Sequence, residues 1–104
     1  MRFFKIDTNA SADLVAAVAG KKIRVNSIMI FVASEVTVKF QSGATTDLTG
    51  AMTLEKGTPL IHDMADDRAG EMKGYFETNP GEKLNVVLGA GIQISGCGTY
   101  ELVT

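Results

Sequence analysis

Apolar and polar residues alternate with a period of two along much of the chain. The clearest segment is 36–41, where Val36, Val38 and Phe40 share one face and polar residues take the other. Residues 84–88 follow the same rule. Such alternation is typical of β-strands with one buried face, so both segments are predicted to be strands.

A third alternating segment, 92–103, contains glycines among its apolar positions. Gly96 and Gly98 fall on the apolar parity, and Cys97 between them has the outward parity. Glycine inside a strand indicates a bulge, a bend or the close approach of another chain. We therefore predict a strand here with one of these three features at its glycines.

Residues 22–32 form the most apolar segment. Its inward parity switches at Asn26 and Ser27, which we interpret as a β-bulge or a bend between strands. Met29 and Phe31 add apolar side chains on the opposite parity. We therefore expect this strand to be covered on both sides.

Shorter apolar segments separated by glycine, proline and small polar residues complete the pattern. They are residues 3–7, 52–54, 59–62 and 73–78. Together with the longer segments they predict an all-β chain of about seven to eight antiparallel strands. Many short strands with turn residues between them favour a β-sandwich or a barrel.

The segment Ser11–Ala19 fits two structures. Its alanine-rich composition, an N-cap residue at Asn9 or Ser11 and a C-cap at Gly20 are compatible with a helix. A strand that places Leu14 and Val18 against the core fits equally well.

Composition narrows the functional classes. The 104 residues predict a single domain, 1–104, in which residues 1–10 form either an N-terminal arm or an edge strand. The net charge of −2 gives no basic excess for a nucleic-acid partner, and no apolar stretch reaches the roughly 18 residues of a membrane span. Cys97 is the only cysteine, which excludes an intrachain disulfide and is compatible with assembly in a cytoplasm.

One cluster of polar side chains could carry chemistry. His62 is followed closely by Asp63, Asp66 and Asp67, which are metal-ligand types, but the spacing matches no calcium or zinc motif and the chain has no second histidine. Cys97 would need His62 as a base to act as a nucleophile. We predict a solvated loop, no metal, no cofactor and no enzymatic activity, with His62 available as a pH-sensitive contact.

Several phrases together resemble a loose group of small bacteriophage virion proteins. They are residues 14–25, 36–43, 48–50, 74–78, 81–85 and 94–96, with Tyr100. The resemblance implies a compact, jelly-roll-like β-sandwich in which Leu14–Ala19 is a strand. It also implies a capsid decoration (cement) subunit that is assembled in the host cytoplasm and acts in many copies on the virion, with a homo-oligomer, favoured as a trimer, and a capsid or other virion protein as partner.

Candidate contact residues follow from exposure and from where the chain departs from that group. Phe3 and Phe4 would contact a partner if residues 1–10 form an arm, and Phe3 would pack on the domain if they form an edge strand. Tyr75 is a third candidate. The acidic loop after His62, with Asp66 and Asp67, is longer than the group's pattern. The alternative function is a binding module of a phage tail or fibre that recognises a host-surface ligand.

Overall fold

The computed structural model describes residues 2–62 and 76–104, and every regular element among them is a β-strand. The ten strands are β1 (Arg2–Thr8), β2 (Ala12–Val15), β3 (Lys22–Val32), β4 (Val36–Ser42), β5 (Thr46–Asp47), β6 (Met52–Leu54), β7 (Leu60–His62), β8 (Phe76–Glu77), β9 (Leu84–Leu88) and β10 (Ile94–Val103). The predicted all-β fold is confirmed. No helix within these residues is long and apolar enough to cross a bilayer.

The strands form two antiparallel sheets. The first sheet has the order β1-β10-β3-β7, with β8 also pairing with β3, and the second has the order β2-β9-β4-β5, with β6 also pairing with β4. The first four strands alternate between the sheets, so each turn carries the chain across the molecule. The two sheets pack face to face as a β-sandwich.

Two pairs of short strands account for the difference between ten strands and the predicted seven to eight. β7 and β8 lie along the same edge of β3, and β5 and β6 lie along the same edge of β4. Pairing then runs β1 with β10, β2 with β9, β3 with β7 and β8, and β4 with β5 and β6. One long hairpin rolled into two four-stranded sheets gives this order, which is that of a jelly roll.

The core lies between the sheets and contains the apolar residues of the inward parity. Phe40, Ile23, Ile30 and Leu84 are fully buried. Phe40 also contacts the half-buried ring of Phe76, with ring centroids 5.2 Å apart. The alternation read from the sequence therefore assigned the inward faces of β3, β4, β9 and β10 correctly.

The parity switch in β3 is a β-bulge, as predicted. Ser27 lies opposite Thr99 and Val25 lies opposite Tyr100, so Asn26 is one extra residue in β3. Asn26 is 1% exposed, and its side-chain amide has no hydrogen-bond partner among the described residues. The bulge lets apolar residues on both sides of it face the same core.

The glycines of β10 allow two close approaches. A Cβ on Gly98 would overlap the ring of Phe4, and a Cβ on Gly96 would overlap the carbonyl oxygen of Met29 on the neighbouring strand. Both contacts lie within one molecule, so the approach of another chain stays a prediction. The register shift between Thr99 and Tyr100 lies beside Gly98, where a bulge was one of the predicted features.

Residues 11–19 contain a strand, not a helix. Ala12–Val15 pairs with β9, and Val15 is buried. The Ser11 hydroxyl accepts a hydrogen bond from the Leu88 amide at 3.0 Å, so it completes β9 and caps no helix. A nine-residue helix is marginal by itself, whereas β9 offers a free edge. The strand expected for Leu14–Ala19 is confirmed only at Leu14 and Val15, and Val18, which was expected against the core, is exposed.

The N-terminal segment is an edge strand. Arg2–Thr8 pairs along its length with β10, and Phe4 is 6% exposed with its ring 6.1 Å from that of Tyr100. The arm interpretation is therefore wrong for residues 2–8. Phe4 is a core residue because it has the inward parity of β1.

Candidate functional site

The outer face of the first sheet carries large apolar side chains that remain exposed. Phe3 on β1 is 80% exposed, Phe31 on β3 is 46% exposed and Ile61 on β7 is 56% exposed. Met29 and Cys97 lie between them, because the register places Cys97 beside Met29 and Met29 beside Ile61. We call these five residues the apolar face.

The apolar face corrects the expectation that residues 22–32 are covered on both sides. The inward side of β3 is buried under the second sheet, but Phe31 is open on the other side. Apolar residues on both parities normally indicate burial on both sides. Within residues 2–62 and 76–104, each sheet of the sandwich is covered only by the other sheet, so these residues leave the second apolar side of β3 without a covering layer.

A hollow of about 210 Å³ opens within the apolar face. Phe3, Met29 and Ile61 contribute apolar lining, and the small residues Ser27 and Thr99 lie between them. The hydroxyl oxygens of Ser27 and Thr99 are hydrogen-bonded at 2.6 Å, so each hydroxyl already has a partner. The hollow is therefore mainly an apolar recess.

The recess exists because small residues occupy adjacent positions on two neighbouring strands. Ser27 lies opposite Thr99, and Gly98, which follows the inward parity, has no side chain to fill the space beneath. The Phe4 ring occupies that space from the inside. The larger side chains of Phe3 and Phe31 project from the same face of the sheet, farther from the core than the floor of the recess.

A charged ladder borders one end of the apolar face. Arg24 Nε lies 3.2 Å from Glu77 Oε2, and Arg24 Nη1 lies 3.9 Å from Glu101 Oε1. Lys22 Nζ lies 3.6 Å from Glu77 Oε1. Half-exposed pairs of this kind contribute little stability. They give the apolar face a polar boundary, as at the rim of a protein interface.

The outer face of the second sheet also carries ion pairs. Lys39 Nζ lies 3.3 Å from Asp47 Oδ1, and Lys83 Nζ lies 2.8 Å from Asp13 Oδ1. Gln41 Nε2 donates to Asp47 at 2.8 Å, and this bond, followed by the contact with Lys39, lowers the pKa of Asp47. The outer face of the second sheet is therefore charged, whereas that of the first sheet combines the apolar face with the charged ladder at one end.

A polar network joins β4 to the turn before β9. The buried Ser42 hydroxyl donates to Glu82 Oε1 at 2.7 Å and accepts from the Asn79 amide at 2.9 Å. Asn79 Nδ2 also donates to Glu82 at 2.9 Å. The bond from Ser42, then that from Asn79, lowers the pKa of Glu82. The network fixes the turn, and we assign it a structural role.

Of the contact residues predicted from sequence, the two phenylalanines separate. Phe3 lies on the apolar face, whereas Phe4 is buried and unavailable to a partner. Cys97 is exposed, as its parity predicted. The apolar face therefore brings together one predicted contact residue and the cysteine that was considered as a nucleophile.

The acidic cluster falls largely outside the described residues. His62 is the last residue of β7 and pairs with Ile28, while Asp66, Asp67 and Tyr75 lie in residues 63–75, outside the described part. Among residues 2–62 and 76–104, no group of three or more histidine, cysteine, aspartate or glutamate side chains could hold a metal ion. The contact roles of these four residues stay predictions.

Sequence reasoning missed Phe31 and Ile61 as surface residues. The sequence contained an indication of this exposure, since Phe31 has the outward parity of a strand whose other side is apolar. Apolar residues on both parities were instead interpreted as burial of both sides of the strand within the domain. Exposure depends on which sheets exist and how they stack, which a single strand does not reveal.

Comparison with protein-family models, with curated proteins and with solved structures found no match to this chain.

Proposed function

We propose that this chain is a non-enzymatic structural protein of a bacteriophage particle, a capsid decoration subunit that acts in many copies on the virion surface. The observation that supports it best is the apolar face. Phe3, Phe31 and Ile61 are exposed on the outer side of the first sheet. Large exposed apolar patches mark interaction surfaces, and here one side of a thin sandwich supplies the patch.

The jelly-roll order of the strands and the phrases shared with small virion proteins add to this support. A rigid small domain is well suited to a repeating lattice. Contacts that are weak for one copy sum by avidity when many copies are held on the same particle. The apolar face would supply the assembly contact, to another copy or to a neighbouring virion protein, while the charged face remains in solvent.

The alternative is a binding module of a phage tail or fibre that recognises a host-surface ligand. The hollow of about 210 Å³ favours it, because the hollow is large enough for a small apolar group. Its lining offers few free polar groups, since the hydroxyls of Ser27 and Thr99 bond to each other. We therefore place this function second.

Co-sedimentation with phage particles tests the proposal. Labelled protein should pellet with particles in a saturable manner and stay in solution without them. The double variant F31T/I61T removes apolar side chains from the apolar face and should bind particles at least tenfold more weakly. The matched variant K39T/V87T changes two outward positions of the second sheet and should bind like the native protein.

Other outcomes separate the alternatives. Protein that ignores particles but pellets with bacterial envelopes would reject the decoration role in favour of the tail or fibre module. C97A removes the thiol and keeps a small apolar side chain on the apolar face, so it should keep particle binding if no thiol chemistry is involved. Loss of binding by C97A with folding preserved would contradict a purely structural role.

A further inference from the structure

The apolar face contains both a projection and a recess. Phe31 projects from β3 with 46% of its surface exposed. The recess of about 210 Å³ lies around Ser27 and Thr99 on the same face. A cavity of about 150 Å³ can hold a benzene ring, so this recess has room for a phenylalanine ring.

The projection and the recess are placed symmetrically about Met29. Phe31 and Ser27 lie two residues to either side of Met29 on β3, so each is about 7 Å from it along the strand. A two-fold axis that crosses the strands at Met29 and Cys97 would superpose the Phe31 of one copy on the Ser27 of another. The same operation fills the second recess.

We propose that the apolar face is a two-fold interface between two copies of this chain, in which the Phe31 ring of each copy enters the recess of the other. Such an interface is isologous, because the same patch serves both copies and residue i meets residue j twice. The two first sheets then stack face to face with their strands aligned, as sheets commonly pack.

Charge at the edge of the face does not add to this attraction. Lys5 on β1 lies opposite Cys97, so the proposed axis passes close to Lys5 and brings the Lys5 side chains of the two copies together. Asp7, two residues along β1, comes over Phe3 of the other copy. Because β1 is an edge strand, both ammonium groups reach solvent, and the choice of a second copy rests on the symmetric positions of Phe31 and the recess.

The area of the apolar side of the first sheet gives an expectation for the affinity of the proposed dimer. Four strands about 4.8 Å apart and about eight residues long cover about 500 Å² per copy, or about 1,000 Å² for the pair. This value is at the lower end for specific interfaces. We expect a reversible dimer with a Kd on the order of 1–100 µM.

The geometry favours a dimer over the trimer that the resemblance implied. One face that carries both projection and recess is satisfied by a single partner. A closed ring of three would need two different surfaces on each copy. The inference deepens the proposed multi-copy role, and its test needs no particle, so the two can fail separately.

Sedimentation equilibrium over a range of protein concentrations tests the dimer. The native chain should change from 11.0 kDa to twice that mass as concentration rises. F31T removes the projection and S27L fills the recess, and each alone should weaken association at least tenfold. V87T on the second sheet is the control and should associate like the native chain.

Mixing the variants gives a sharper result. F31T keeps the recess and S27L keeps the projection, so a mixed pair regains one of the two contacts. Cys97 of each copy lies near the proposed axis and reports on pairing. Stacked sheets lie about 10 Å apart, too far for a direct disulfide but within reach of a short bis-maleimide.

The cross-linker should join native copies, join F31T to S27L more readily than either variant to itself, and join no C97S copies. A monomer at all concentrations, a trimer, or a dimer that is insensitive to both F31T and S27L would overturn the inference. Particle binding by a chain that is monomeric in solution would overturn the dimer and leave the proposed function standing.

Discussion

Gly98 is required by what lies on its inner side. A Cβ there would point into the core and overlap the Phe4 ring, which packs in that position. On the outer side, the recess depends on the small side chains of Ser27 and Thr99. A substitution at Gly98 therefore disturbs the core first.

We predict that G98A lowers the free energy of unfolding by about 1–3 kcal/mol, because Phe4 must move in a close-packed core. Urea denaturation measures the change. Gly50 is the control, since a Cβ there would meet nothing within 4 Å, and G50A should stay within about 0.5 kcal/mol of the native protein. Equal stability of G98A and G50A would contradict the assigned contact.

Glu82 makes stability depend on acidity. Its pKa is lowered in the folded protein, chiefly by the Ser42 hydroxyl, from an unfolded value of about 4.5. A lowered folded pKa means that the charged carboxylate stabilises the fold above the unfolded value. This contribution is lost as pH falls through the folded pKa.

We predict that native protein is more stable than E82Q at pH 7 and that the difference shrinks as pH falls below about 4.5, measured as urea midpoints between pH 7 and pH 3. In an S42A background the same comparison should show a weaker pH dependence, because the main donor is gone. A difference that grows on acidification would contradict the assigned network.

The strands differ in how clearly their own sequence predicts them. Segments 36–41 and 84–88 alternate cleanly because one face meets the core and the other meets solvent. β5 and β8 are two residues long and show no period, so pairing with β4 and β3 defines them. Residues 11–19 had helical propensity that the free edge of β9 overrode.

The candidate site was less predictable than the fold. Phe3 was nominated from sequence, but its partners on the apolar face come from β3 and β7, which are distant in the chain. Phe31 is exposed because, in the part of the chain that the structure describes, no third layer covers the first sheet. Sequence alternation gives the two faces of a strand, while the identity of the covered face depends on pairing between remote segments.

The bulge in β3 gives a prediction at this scale. Deleting Asn26 leaves Val25 directly before Ser27, which restores regular alternation and continuous register with β10. The deletion also removes a buried amide that has no partner among the described residues, a group that costs about 1–3 kcal/mol. We expect the deletion variant to fold with stability within about 2 kcal/mol of native, as judged by amide NMR dispersion and thermal unfolding.

Deleting Met29 is the matched control. It removes one residue from the same strand but shifts one half of β3 by a single position, which turns inward residues outward. This variant should not fold. If both deletions unfold the chain, or both are tolerated, the register described for β3 and β10 is wrong.

At the scale of the whole molecule, the exposed apolar side chains of the two sheets are concentrated on the outer side of the first sheet. Burying the apolar face in a dimer would leave the outer face of each second sheet in solvent. Association that involves only folded chains also stabilises them by mass action. Stability and self-association are then linked.

We predict that the Tm of the native protein rises by a few degrees when its concentration is raised a hundredfold, from about 5 µM to about 500 µM. F31T should show no such rise, and V87T should behave like the native chain. Differential scanning calorimetry at both concentrations measures the effect. A Tm independent of concentration for the native chain would contradict the linkage.

The pairing of β1 with β10 has a consequence for synthesis. β10 lies between β1 and β3, so neither strand has its main neighbour until residues 94–103 have been made. At about 5–20 residues per second, the nascent β1 waits several seconds or longer, while Phe4 and the core side of β3 stay open to chaperones. A chain that ends before residue 94 therefore cannot complete its first sheet. We expect cellular proteases to degrade such a truncated chain.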